Sequence, residues 1–219
     1  MKCFNLLGTN QMKLLKTLLF FFLPGFVAAQ SYTIVKDTAA LNKKIITMGK
    51  TTNTLESDFT QTKTLKIMKD KVVSKGKLYF KKNDMLRWEY TSPFSYIIVL
   101  NKSKISIKNN GKVKRYDTEK NKVFKEINDI LLSCVQGTIL RSSKFSVTCF
   151  ENSTGYKIDL IPKKEAMQKT LSKITLFLDL NVSSVVKMEM LEPSGDFTTI
   201  NFMGKKINGV IKDDIFQLK

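Results

Sequence analysis

The chain contains no histidine at all. That removes the commonest general base and the commonest side-chain metal ligand, and with them any Ser-His-Asp triad. No GxSxG, P-loop, GxGxxG or CxxC pattern stands in their place, and acids such as Asp58 and the pair Asp213-Asp214 are isolated. Ser172 stands beside Lys173, but in a chain this rich in lysine such neighbours arise by chance. Neither catalysis nor a metal nor a cofactor is therefore expected. Proline is scarce, at 4 residues, and no Pro-rich linker, low-complexity tract or internal repeat divides the chain. Of 3 cysteines, Cys3 lies in the N-terminal leader, leaving Cys134 and Cys149. In an exported protein such a pair forms a disulfide or serves as two small buried apolar groups. Spacing leaves both open.

The longest apolar run stands near the N-terminus. Lys13 and Lys16 precede Leu18-Leu19-Phe20-Phe21-Phe22-Leu23, followed by Pro24-Gly25 and the small-residue stretch Val27-Ala28-Ala29-Gln30. A basic start, a short apolar run and a small-residue site make a secretory signal, and the run is too short for a spanning helix. Residues 1–30 read as a signal peptide cleaved near Ala29 or Gln30, with Met1 or Met12 as the start. Residues 31–219 read as one domain, long enough to bury a core. No Cys follows the cleavage site to carry a lipid, so a soluble periplasmic protein is expected, and an uncleaved anchor is the lesser reading. Acids are also in deficit, 19 against 37 Lys and Arg, a net charge of +18. Export and the lack of a recognition motif argue against nucleic acid. A solvated basic surface, or attraction to anionic headgroups or an acidic partner, remains.

What the chain does have is alternation. In Ser74–Val99, Gly76-Lys77-Leu78-Tyr79-Phe80 leads to a polar break at Lys81–Asp84. Leu86, Trp88 and Tyr90 then alternate with Arg87 and Glu89, and Tyr96–Leu100 follows Pro93. Period-two alternation predicts strands with one apolar and one charged face. Further strands are predicted around Phe59–Ile67, Val72–Phe80, Ile105–Ile107, Val113–Tyr116, Phe145–Cys149, Tyr156–Leu160, Ile174–Leu178, Val185–Met190 and Phe197–Phe202. Asn110-Gly111 and Asn208-Gly209 mark turns. Leu41, Ile45, Met48 and Leu55 predict a helix over 35–56, with Asp37 or Thr38 as cap. Val123 to Val135 repeat at three and four residues, a second helix ending near Gly137. The tail Asp213–Phe216 reads as a short strand or helical turn. The class is α+β, mostly β: a half-open antiparallel barrel with helices over its concave face.

The ordered set Phe59-Thr60-Gln61, Gly76-Lys77-Leu78, Lys81-Lys82, Leu86-Arg87-Trp88 and Pro93 resembles the LolA family of periplasmic lipoprotein carriers. The order continues through Tyr116 and Tyr156-Lys157-Ile158-Asp159-Leu160 before Pro162, so the resemblance spans about residues 35–216. It implies an incomplete barrel under a helical lid, whose apolar cavity receives lipoprotein acyl chains. It further implies an inner-membrane releasing transporter as donor, an outer-membrane acceptor and transient contact with membrane surfaces. A monomer is expected. One position departs. The family's lid turn reads Arg-Pro, whereas Lys82-Asn83 stands here, a point charge in place of a planar fork.

Physics supports a carrier independently, since each acyl CH₂ removed from water is worth about 0.8 kcal/mol. Adaptable Met and Phe side chains suit a cavity that must release its load; the chain has 9 and 15 of them. The expected acyl-chain residues are Phe59, Leu78, Leu86, Trp88, Tyr90, Ile98 and Leu100 from the sheet. From the second helix they are Phe124, Ile127, Ile130, Leu131 and Cys134, with Lys82 at the lid turn. Each has ordinary core packing as its rival role. Other readings are a lipid-sensing regulatory module, a carrier of a glycolipid, pigment or fatty acid, and a secreted hydrolase.

Overall fold

The computed structural model describes residues 31–67, 70–117, 130 and 132–219. The expected signal peptide and most of the expected second helix, with Phe124, Ile127 and Leu131, lie outside the described residues.

One 12-stranded antiparallel sheet forms the frame and does not close into a barrel. Six strands follow one another by hairpins: β2 (Thr54–Thr64), β3 (Lys71–Lys81), β4 (Met85–Ser92), β5 (Tyr96–Asn101), β6 (Lys104–Asn109) and β7 (Lys112–Asp117). Five more form a second antiparallel run, with a short helix in the connection between its second and third strands: β8 (Phe145–Asn152), β9 (Gly155–Pro162), β10 (Lys173–Asp179), β11 (Val185–Leu191) and β12 (Phe197–Ile207). The two runs join where β12 pairs with β2, and the two-residue β1 (Thr33–Ile34) adds to the far edge beside β8. Turn chemistry sets the registers. Between β6 and β7 Asn110-Gly111 takes φ of 47° and 76°, the left-handed pair that two-residue hairpins require, and in the loop 82–84 between β3 and β4 Asn83 and Asp84 take 71° and 61°.

The predicted alternation holds. Leu86 and Trp88 are buried on the inner face, while Arg87 and Glu89 point outward and pair with each other at 2.8 Å. The outer face is nevertheless not wholly wet. Ile97 and Val99 of β5 are buried beneath Phe216, which sits in a single 3₁₀ turn (Asp213–Phe216) with Ile211, Ile215 and Leu218 around it. Arg87 donates to the Ile215 carbonyl at 2.9 Å and Lys81 ion-pairs with Asp213 at 2.5 Å. The C-terminal tail is thus a second cover on the opposite side of the sheet.

The inner face is covered by α1 (Thr38–Thr51), capped by the Asp37 carboxylate on the Ala40 N–H at 2.8 Å, with Leu41, Ile45 and Met48 buried. This helix is shorter than the span 35–56 predicts. Asn208 clamps its end, accepting from the Asn53 N–H at 2.7 Å and donating to the Thr51 carbonyl at 2.9 Å. Thr54-Leu55-Glu56 then pair with Lys81, Phe80 and Tyr79 as the start of β2, so Leu55 faces the core from a strand. Residues 132–135 are helical, and Gln136 and Gly137 directly after them lie against α1. A four-residue helix, α2 (Glu165–Gln168), packs Met167 into the core. Cys134 and Cys149 are buried and free.

Candidate functional site: an apolar cavity between the sheet and its helical cover

The inner face is organised around one aromatic cluster. Phe59 of β2 pairs across the ladder with Gly76 of β3. A Cβ at Gly76 would lie 2.6 Å from the Phe59 ring and 2.0 Å from the Glu89 carbonyl, so the ring needs the missing side chain. The Phe59 ring lies 4.7 Å from Trp88 and meets Tyr90 edge-on at 5.2 Å; Trp88 meets Phe202 edge-on at 6.1 Å. These are favourable aromatic geometries. The Tyr90 hydroxyl donates to Gln61 Oε1 at 3.0 Å, so both ends of Phe59-Thr60-Gln61 act on one cluster. Burial is the largest influence on the Tyr90 phenol and raises its pKa, against lesser opposing effects of Trp88 and Gln61. Among the described residues the buried Trp88 indole nitrogen meets no hydrogen-bond acceptor.

Beside this cluster lies a cavity. Its floor is Leu55 and Ser57 of β2, Leu78 of β3, and Leu86 and Trp88 of β4. Val185 and Met188 of β11 and Phe202 and Ile207 of β12 continue it, while Met48 of α1 with Cys134 and Val135 cover it. The lining is almost wholly apolar. The open volume is about 50 Å³, whereas about 10–15 Å³ of such space holds one water; the cavity is small. It leads past Met48, Thr52, Ser183 and Ile207 to an outer groove of about 570 Å³ between α1 and residues 181–183. Burial pushes the Cys134 thiol up to about 12, so it stays neutral and acts as an apolar wall.

The cover is pinned by backbone contact and by the β3–β4 turn. A Cβ at Gly49 in α1 would lie 1.9 Å from the Gln136 carbonyl oxygen, and one at Gly137 (φ 71°) 2.1 Å from the Ile45 carbonyl oxygen. The two cover segments therefore touch backbone to backbone, which only glycine permits at this spacing. Lys82 Nζ donates to the Lys50 carbonyl at 2.5 Å, at the C-terminal end of α1 where a cation also complements the helix dipole. Gln136 Nε2 donates to Asp84 Oδ1 at 2.9 Å. One tight turn thus holds both halves of the cover.

Among the expected residues, Leu78, Leu86, Trp88 and Cys134 line the cavity. Phe59 and Leu100 are buried in the core alongside it, and Tyr90 and Ile98 are half-buried against that core. Ile130 packs on the core but borders a separate, more polar depression near Asp84 and Lys144. Lys82 stands in the β3–β4 turn against the end of α1. Sequence reading missed Met48, Leu55, Val185, Met188 and Phe202, whose alternation was visible but whose neighbours were not. It also missed Ser183, Ser184 and Lys205, which carried no signal. Among the described residues no group of acids and cysteines could hold a metal, and no helix is long and apolar enough to cross a membrane.

An open antiparallel sheet wrapped on an apolar cavity beneath a helical cover defines a LolA-like fold. The chain belongs to that family: the family model for the outer membrane lipoprotein carrier protein LolA matches residues 50–219. No curated protein matches the chain. Among solved structures, MucB is similar with a TM-score of 0.51 at 12% identity, over 84% of this chain and 64% of that one. A LolA superfamily protein from Nitrosomonas europaea gives 0.42 at 11% identity, over 81% and 97%. The Mycobacterium tuberculosis lipoprotein LppX gives 0.43 at 12% identity, over 80% and 98%.

Proposed function

We propose that this chain is an exported carrier that takes the acyl chains of lipoproteins into the cavity beneath α1 and shuttles them from the inner to the outer membrane. The observation that carries this reading is the apolar cavity itself, roofed by helix α1 rather than by another layer of sheet. Membership of the LolA family supports it. On this reading residues 1–30 are a cleaved signal peptide, residues 31–219 one periplasmic domain acting as a monomer, and the protein does no catalysis. An inner-membrane transporter loads it and an outer-membrane acceptor receives the cargo. The excess of lysine favours brief contact with anionic membrane surfaces.

The test is recovery of the mature protein from periplasm, with mass spectrometry of what it carries. Triacylated lipoproteins are expected on the native chain and should be lost from Leu86→Glu, which sets a charge in the cavity wall. A folded Leu86→Glu protein that retains the same cargo would overturn the reading, as would a native chain with no affinity for acylated peptides.

A further inference from the structure

Strand β12 contains one residue too many. Met203 pairs with Asp58 and Lys206 with Glu56, so Gly204 and Lys205 together stand opposite the single residue Ser57. Gly204 takes φ 59°, and the Ser57 hydroxyl donates to the Met203 carbonyl at 2.9 Å inside the irregularity. This is a β-bulge, a device that re-aims side chains. Its effect is a change of face. Phe202 lies on the inner side; regular alternation would put residues 204 and 206 there as well. With the bulge, Lys205 and Ile207 face inward and line the cavity, while Lys206 faces outward near Glu56 at 3.9 Å.

Among the described residues Lys205 is the one charged side chain in the cavity lining. Its ammonium donates to the buried Ser184 hydroxyl at 2.6 Å, and among the described residues no carboxylate lies within ion-pair distance. Asp179 acts on it only at longer range; burial dominates and lowers its pKa. Asp179 is itself engaged, accepting from the Ser183 N–H and hydroxyl at 3.0 and 2.5 Å. The turn carrying the two serines holds the buried, β-branched Val182 at φ 52°, a conformation such residues rarely adopt. Among the described residues the outer groove adds Lys43 and Lys44 and no acid. A lysine half out of water with only a neutral partner gains from a negatively charged one.

We propose that Lys205, seated on Ser184, is a head-group site: the cavity prefers an amphiphile bearing a carboxylate or phosphate, whose chain runs inward past Phe202 and Trp88. The proposal rests on the reading of the cavity as an acyl-chain site. The mature protein is titrated calorimetrically, below micelle formation, with palmitate, monopalmitoyl phosphatidate and the neutral monopalmitoyl glycerol. The acids should bind at least ten-fold more tightly than the glycerol ester. Lys205→Met should abolish the preference, bringing the acids to the affinity the same variant shows for the neutral ligand, with an unaltered melting temperature as proof of folding. Lys206→Met, on the outer face, should change neither. Tighter binding by palmitate or by the phosphatidate identifies a carboxylate or a phosphate as the natural group. Equal affinity for acidic and neutral ligands, or discrimination that survives Lys205→Met, overturns the head-group site while leaving the acyl-chain reading intact. Failure of all three ligands to bind overturns both.

Discussion

Replacing Gly49 by alanine is the sharpest probe of the cover. The new Cβ would sit 1.9 Å from the Gln136 carbonyl oxygen, 2.1 Å from its carbon and 2.7 Å from the Gly137 nitrogen. Ordinary contact between such atoms needs about 3.5 Å, so α1 must retreat by roughly 1.5 Å. All three obstacles are backbone atoms, so no rotamer change can relieve the clash. Overpacking costs about 1–3 kcal/mol, and the rigidity of this contact places it in the upper half of that range. Alanine over glycine within a helix returns up to about 1 kcal/mol. The net expectation is a loss of about 1–2 kcal/mol, or about 2–8 °C in melting temperature for a domain of this size. Gly209→Ala is the matched control, because nothing lies within 4 Å of a Cβ there; it should be neutral or stabilising by up to about 1 kcal/mol. Urea unfolding measures both. A displaced α1 should also bind a fluorescent acyl probe more tightly than the parent protein. If Gly49→Ala matches Gly209→Ala in stability and the parent in probe affinity, the backbone-to-backbone closure of the cover is wrong.

Two further predictions concern the aromatic cluster and the thiols. Gln61→Leu removes the acceptor of the Tyr90 hydroxyl and should cost about 1–3 kcal/mol in denaturant unfolding; adding Tyr90→Phe should recover most of the loss, and a second mutation that deepens it would refute the pairing. For Cys134 the folded thiol keeps its proton up to about 12 against an ordinary value of 9.0. The unfolded chain loses that proton first, so stability falls as pH rises across this window, by at most about 1.4 kcal/mol per pH unit from this group. Below pH 9 the group contributes no pH dependence. Cys134→Ala should flatten the stability profile above pH 9, and an identical slope in both proteins would refute the burial.

Much of the frame was legible because period-two alternation and left-handed turn residues are local signals. Leu86, Trp88 and the Asn83-Asp84 turn declare their roles within a few residues. The length of α1 was not legible, because Leu55 fits a helical stripe in sequence and leaves it only through pairing with Phe80 and the clamp from Asn208, 153 residues or more away. The family motif became physical only in three dimensions: Gly76 exists for the Phe59 ring, and Gln61 for the Tyr90 hydroxyl. Lys205 was invisible for a specific reason. A bulge changes the parity of every residue after it, and alternation read through Phe202 assigns Lys206 to the inner face. The tail's role over Ile97 and Val99 was likewise a long-range fact, since nothing near Phe216 names its partners.

A cavity of about 50 Å³ is what a carrier needs when empty. Burying a sixteen-carbon chain would yield about 12 kcal/mol at about 0.8 per methylene, too much for a cargo that must leave again if nothing opposed it. Here the space the chain needs is held by the cover, whose Leu41, Ile45 and Met48 are themselves buried. Exposing each would cost about 1.5–3 kcal/mol, so lifting α1 off the sheet offsets about half of the gain. Loading then exchanges one set of apolar contacts for another, and the affinity is the difference. The same argument locates the control. On the proposed carrier reading, Gly49, Gly137 and the Lys82 and Gln136 hydrogen bonds would set how readily α1 separates, and so would tune uptake and release together without touching the cargo. Lys205 lies on strand β12 and not on α1, so on the proposed carrier reading a group bound there would stay in register if α1 lifts.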